Sequence, residues 1–311
     1  MSTPASPVIR KHDAAPGSTR LEALGLVWLA EAMPDGGAPV VPVRYGEGWL
    51  EEPRLHRLRP TPAAARAFGR ALAVTHAAGA PFFGAAPPRW DGVGQMGRSR
   101  IRLRDHDSSD PAVTGRRWGA FYAEDRIGAY IGDCRDSGAL SERGARVLER
   151  VCSRLADGVF DSPQPALVEA GAAARRQARA VSRTHGDLWC GNVLWVPVGE
   201  TGWAPSGAGL GPAGGTADSG AGSSAGLPGD VGVLIDPMAQ GAHAETDLAA
   251  LGMFGQSHLT RIIGAYNEVS PLADGWRERV GLHRLHMLMI HVFLFGGGYG
   301  MEAVNQARQY V

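Results

Sequence analysis

Thr184-His185-Gly186-Asp187-Leu188-Trp189-Cys190-Gly191-Asn192, followed downstream by Leu234-Ile235-Asp236-Pro237, decides how this chain is read. Two carboxylates and a carboxamide stand at separations suited to moving a phosphoryl group from ATP. That reaction needs a carboxylate to orient the attacking hydroxyl and oxygen ligands to hold Mg2+ on the phosphates. Asp187 fits the first role, as catalytic base. Asn192, five residues on, and Asp236, at the end of an apolar strand, fit the second, as metal ligands. A His-Gly-Asp triplet by itself would read as a turn. The spacing of the three polar residues favours catalysis.

Outward from this loop, residues 181–184 read as the strand that feeds it and 193–196 as the strand that leaves it. Residues 231–235 form the returning partner. Between them, residues 199–230 are dominated by Gly, Ala, Ser and Pro, and a flexible insertion at a hairpin tip is expected. His185 is expected to hold the loop through backbone carbonyls. Trp189 either stacks on a sugar face or packs beneath the loop.

Near the start, residues 8–11 read as a strand and residues 21–29 as a helix with Ser18 or Thr19 as its N-cap. Lys11 is the only lysine of the chain. A compact ammonium among phosphates is poorly replaced by a guanidinium. Lys11 therefore suits an anchor for the α- and β-phosphates, held by Glu22 on the helix. Strands are expected at 40–45 and 48–50, a helix from Thr61-Pro62 to Gly79, and an irregular connection over 80–115. Further helices are expected at 117–131, 141–157, 165–180, 245–255, 257–267 and 276–295. Glu245 and Asp247, at a helix start, read as capping and dipole-complementing residues.

The order defines an α+β, two-lobed, protein-kinase-like fold. Residues 1–55 form a small, partial N-terminal α/β nucleotide-binding lobe. Residues 56–311 form a larger, mainly helical C-terminal lobe with a catalytic hairpin and the acceptor site.

Composition narrows the classes. The formal net charge of the 311 residues is zero, which argues against a general nucleic-acid or membrane-surface binder. The arginine runs at 98–104 and 175–183 read as solvated faces. Three cysteines make neither a disulfide framework nor a metal spacing, so a reducing cytoplasm is expected. Residues 1–7 lack the features of a signal peptide, and no apolar run reaches the length of a membrane span.

The string from His185 to Asn192 resembles the HGDLWxGN motif of the fructosamine kinase, or ketosamine-3-kinase, family of aminoglycoside-phosphotransferase-like enzymes. Ile235-Asp236-Pro237 with His243, Glu245 and Asp247, the string Phe295-Gly296-Gly297-Gly298-Tyr299, residues 22–26 and residues 118–126 resemble further family segments. The resemblance covers nearly the whole chain from Val8. It implies ATP and Mg2+ as cofactors, Asp187 as base, Asn192 and Asp236 as metal ligands, and Lys11 with Glu22 as the phosphate anchor. Trp189 and His291 are candidate acceptor-binding residues. The implied reaction is phosphorylation of a sugar hydroxyl on a ketosamine, a fructosamine-type adduct. The product falls apart, which makes the reaction a deglycating repair step. The implied partner is a small-molecule or glycated-amine substrate. A kinase of the same fold for an amino sugar or aminoglycoside, and a kinase-like binding protein without turnover, stay open.

The sequence departs from the family pattern in places. The family carries two strands and a glycine-rich turn ahead of the lysine strand, whereas ten residues precede Lys11, so a truncated small lobe is expected. An aromatic pair and an arginine near the metal strand become Gln240, Gly241 and Ala244. Asparagines before the FGGGY string become Ile290 and Phe293, while His291 remains. A less polar acceptor pocket is expected.

Overall fold

The computed structural model describes residues 7–201 and 229–311. It has the α+β, protein-kinase-like architecture. The small lobe is an antiparallel sheet of β1 (Val8–His12), β2 (Arg44–Gly46) and β3 (Trp49–Pro53) in the order β1-β3-β2, with α1 (Ser18–Ala30) beside it. In the β1–β3 register Lys11 stands opposite Leu50 and Ile9 opposite Glu52. The cap of α1 differs from expectation. The carboxylate of Asp13 accepts from the backbone N–H groups of Gly17 (2.9 Å) and Thr19 (2.9 Å), and Ser18 and Thr19 lie inside the helix.

The strand expected at 40–45 shrinks to β2 because Pro42 removes a ladder donor within it. What remains is a parallel bridge from Val40 to Leu234, with Val41 N–H donating to the Leu234 carbonyl at 3.0 Å. The bridge ties the small lobe to the strand that ends beside Asp236.

The helical lobe opens with α2 (Pro62–Ala77), whose N-cap Thr61 accepts from Ala64 N–H at 3.1 Å and is itself held by Asp230. The stretch expected to be irregular contains a hairpin, β4 (Gly94–Met96) and β5 (Ser99–Ile101), and a short turn, α3 (Pro111–Thr114). The helix expected at 117–131 is α4 (Trp118–Phe121), a π-helical segment (Tyr122–Gly128) and α5 (Ala129–Asp136) in series. Within the π segment the consecutive residues Asp125 and Arg126 are both buried. Asp125 accepts from Arg104 (2.8 Å) and Arg116 (2.6 Å), and Arg126 donates to Gln240 and to the Arg102 carbonyl.

Next come α6 (Glu142–Ala156) and α7 (Ala166–Ala174). The latter stops short of the expected 180, where Arg176 takes a left-handed conformation (φ 55°). Then follow β6 (Ser182–Thr184), β7 (Val193–Pro197), β8 (Asp230–Leu234), β9 (Gln240–Ala242) and α8 (Ala244–Leu251). The chain finishes with α9 (Leu259–Val269), α10 (Trp276–Phe295) and α11 (Gly298–Ala307). β6 pairs with β9, and β7 with β8, both antiparallel. The two ladders bring the β6–β7 and β8–β9 loops side by side, one carrying Asp187 and Asn192, the other Asp236. Of the expected insertion, residues 199–201 and 229–230 belong to the folded structure; residues 202–228 lie outside the described residues. Among the described residues no helix is long and apolar enough to cross a membrane.

Under Trp118 lies a buried polar cluster. Glu245 takes two hydrogen bonds from Arg279 (2.9 and 2.6 Å) and lies 3.2 Å from His283, while His243 caps α8. Burial pushes His243 down to about 3. Burial alone would raise Glu245, but His283 and Arg279 hold it down at about 2. Both folded values lie below the ordinary 6.5 and 4.5, so the unfolded chain binds more protons in the acid range. The stability from His243 is present above pH 6.5 and lost toward 3; that from Glu245 is present above 4.5 and lost toward 2. Urea midpoints should therefore fall steadily on acidification, and Glu245→Gln should flatten the lower part of that fall. An unchanged slope would remove Glu245 from this account.

Candidate active site

The loop after β6 is shaped by backbone demands. Gly186 has φ 80°, and a Cβ there would meet the Met238 carbonyl oxygen at 2.0 Å. At Gly191 a Cβ would meet the Trp189 ring at 2.2 Å, so the indole lies across this residue. His185 Nε2–H donates to the Ile235 carbonyl (2.8 Å), and its Nδ1 accepts from Asp187 N–H (3.3 Å). Burial lowers the His185 pKa, so the ring is a neutral strut between the two loops.

Asn192 Nδ2 donates to the Asp187 carbonyl (2.8 Å), to Asp187 Oδ2 (3.1 Å) and to the Asp236 carbonyl (3.4 Å). Its amide nitrogen is thus spent on the two loops, and its oxygen is the atom left to ligate a cation. Asp236 takes a left-handed conformation (φ 51°), which Asp tolerates better than most residues. Burial, with repulsion from Asp247 and Asp236, pushes Asp187 up to about 7 against the opposing hydrogen bond from Asn192.

Lys11 Nζ lies 2.7 Å from Glu22 Oε1 and 3.2 Å from Glu52 Oε1, and donates to Asp236 Oδ1. Burial works against the ammonium, but Glu22 and Asp236 outweigh it and raise the Lys11 pKa. Burial raises Glu22 and Glu52. Three carboxylates share one ammonium, and Glu52 Oε2 is buried without a hydrogen-bond partner among the described residues. The donor set is short of positive charge and built of oxygen, which fits Mg2+.

The structure therefore brings Lys11, Glu22, Asp187, Asn192 and Asp236 together. A cavity of about 370 Å3 runs from Lys11 and Glu22 to Asp187 and Asp236. A second, of about 330 Å3, lies beyond Asp187 and is walled by Trp189, Phe254, Ile290, His291 and Phe295. Asp187 and Met96 line both. Trp189, 37% exposed, meets Phe254 edge-on at 5.9 Å, so it is a wall of the second cavity. His291 lines it too, with Nδ1–H donating to the Met287 carbonyl at 2.8 Å.

Two expectations need correction. Asp247 does not cap α8. Its buried carboxylate accepts from His185 N–H (2.6 Å), Gly186 N–H (3.0 Å) and His76 Nε2 (3.3 Å), which anchors the loop after β6. Gln240, Gly241 and Ala244 line neither cavity, and Phe293 faces the arginine-lined groove behind β5; of the substituted positions only Ile290 borders the second cavity. Glu52 escaped sequence reading although a signal existed. It stands two residues after buried Leu50 on β3 and so faces the same side.

A half-buried carboxylate thus lies between two cavities, with a lysine–glutamate pair on one side and an amide–carboxylate pair at the junction, on a protein-kinase-like fold. The chain belongs to the fructosamine kinase family: the family model matches residues 106–311. That span includes Asp187, Asn192 and Asp236 but not Lys11 or Glu22. The chain is similar to the crystal structure of a candidate fructosamine-3-kinase from Thermobifida fusca, with 35% identity, coverage of 98% of this chain and 85% of that one, and a TM-score of 0.71. A second candidate fructosamine-3-kinase, from Haemophilus somnus, shares the fold at 17% identity, 98% and 83% coverage and a TM-score of 0.63. The "Probable ketoamine kinase" of Synechocystis is 27% identical over 62% of this chain and 48% of its own length; that of Klebsiella aerogenes is 28% identical over 66% and 56%. The chain spans about half the length of the curated relatives it matches.

Proposed function

We propose that the chain catalyses ATP-dependent phosphorylation of a sugar hydroxyl on a ketosamine. The observation that carries this reading is that Asp187 faces two cavities at once, one beside Lys11 and Asp236, the other open to an acceptor. Residues 1–55 would carry the nucleotide-facing lobe and residues 56–311 the catalytic and acceptor-binding lobe. Lys11, steadied by Glu22, would pair with the α- and β-phosphates. Asn192 Oδ1 and the Asp236 carboxylate would hold Mg2+, which when bound neutralises charge on the phosphates. Asp187 orients the acceptor hydroxyl and takes its proton as transfer proceeds. The phosphorylated adduct then eliminates inorganic phosphate, and water cleaves the remaining carbon–nitrogen link to give free amine and a deoxy-dicarbonyl from the sugar, a repair reaction we place in a reducing cytoplasm.

The test is transfer of labelled phosphate from ATP to a fructose–amine adduct in the presence of Mg2+, followed by titration calorimetry with nucleotide. Transfer that requires Mg2+ supports the reading; nucleotide binding without transfer to any ketosamine would refute it. Asp236→Ala should weaken Mg2+-dependent ATP binding at least about tenfold, since even residues behind a metal ligand cost that much. Unchanged magnesium dependence would take Asp236 out of this role.

A further inference from the structure

We infer that the acceptor is a ketosamine whose amine carries an apolar group, arylalkyl or branched alkyl, and no anion. The inference rests on the reading of the cavity beyond Asp187 as the acceptor site.

Among the described residues, every side chain that lines this cavity apart from Asp187 and His291 is apolar or aromatic, and none is lysine or arginine. Trp189, Phe254 and Phe295 are 37%, 40% and 66% exposed around it, so their rings meet water until something covers them. Met96 and Met287 add unbranched thioethers that adapt to aromatic partners. The two polar groups both serve the reacting end of the acceptor. Asp187 receives the hydroxyl, and His291, whose Nδ1–H is held by the Met287 carbonyl, has Nε2 as its remaining acceptor.

The rest of the volume offers no partner for further hydroxyls, and polar groups pressed there without partners lose hydration uncompensated. An amino-acid adduct is worse placed. Its carboxylate would find the Asp187 carboxylate, the His291 ring and hydrocarbon, with no lysine or arginine among the described residues of the lining. A ring or branched chain on the amine instead covers the exposed aromatics. Ile290 and Phe295, one on each side of His291 along α10, set this preference.

The experiment compares kcat/KM with Mg2+ and ATP for the fructose adducts of phenethylamine, ethylamine and glycine. The expected order is phenethylamine, then ethylamine, then glycine, with about tenfold or more between the extremes, equivalent to about 1.4 kcal/mol. Phe254→Ser and Phe295→Ser, at exposed positions where folding is not at stake, should each draw the phenethylamine-to-ethylamine ratio toward one. Equal rates, or a preference for the glycine adduct, would overturn the inference while leaving the kinase reading intact. If no adduct is phosphorylated, the kinase reading fails, and calorimetry on the protein with ADP and Mg2+ decides the inference alone. Tenfold tighter binding of the phenethylamine adduct than of the glycine adduct sustains it; equal or absent binding overturns it.

Discussion

Asp187→Asn should leave a protein that folds and binds nucleotide but transfers phosphate about a thousandfold more slowly, within the range general-base catalysis contributes. The substitution keeps the shape of the side chain. Its amide oxygen can still accept from Asn192 Nδ2, which now lies 3.1 Å from the carboxylate. What disappears is the ability to take a proton from the acceptor hydroxyl at the junction of the two cavities. Single-turnover rates and nucleotide affinity, measured on the same preparation, separate the two contributions. If affinity falls together with the rate, Asp187 holds the loop instead of serving the chemistry.

Asp247→Ala should destabilise the chain by about 3 kcal/mol or more, because it removes a buried charge and strands three donors at once. The donors are the backbone N–H groups of His185 and Gly186 and the His76 ring. Burial alone would raise the Asp247 pKa, but the hydrogen bonds from the His76 ring and the His185 backbone N–H hold it below the ordinary carboxylate value. Its contribution is therefore present above that ordinary value and fades as pH falls through the folded one. The catalytic loop loses its anchor in the same step, so kcat should fall although Asp247 touches no substrate. Urea unfolding and kcat at neutral pH are the measurements. A loss below about 1 kcal/mol would mean that water replaces the carboxylate without consequence.

Residues fixed by short-range spacing were legible from the chain alone. Asp187 and Asn192 share the loop between β6 and β7, and Asp236 follows β8, which pairs with β7, so sequence distance already constrains their geometry. Lys11 and Glu22 were legible because a strand followed by a helix brings them within reach. Asp247 was misread since an acid in the first turn of a helix has a sufficient local explanation, and its partners lie at positions 76, 185 and 186. The hairpin of β4 and β5 and the early end of α7 were missed for a related reason: tertiary packing overrides weak local preference in Gly-, Pro- and Arg-rich sequence. The π segment carries Arg126, which reaches Gln240, a contact between residues 114 positions apart. The second cavity needed coordinates, because its walls come from the β6–β7 loop, the segment after α8 and the last turns of α10.

Met96 sits on a partition common to both chambers. An unbranched thioether there would adapt to a molecule in either chamber and so alter the room left in the other. Donor and acceptor would then sense each other before any bond changes, and the apparent affinity for each should drift with the concentration of its counterpart.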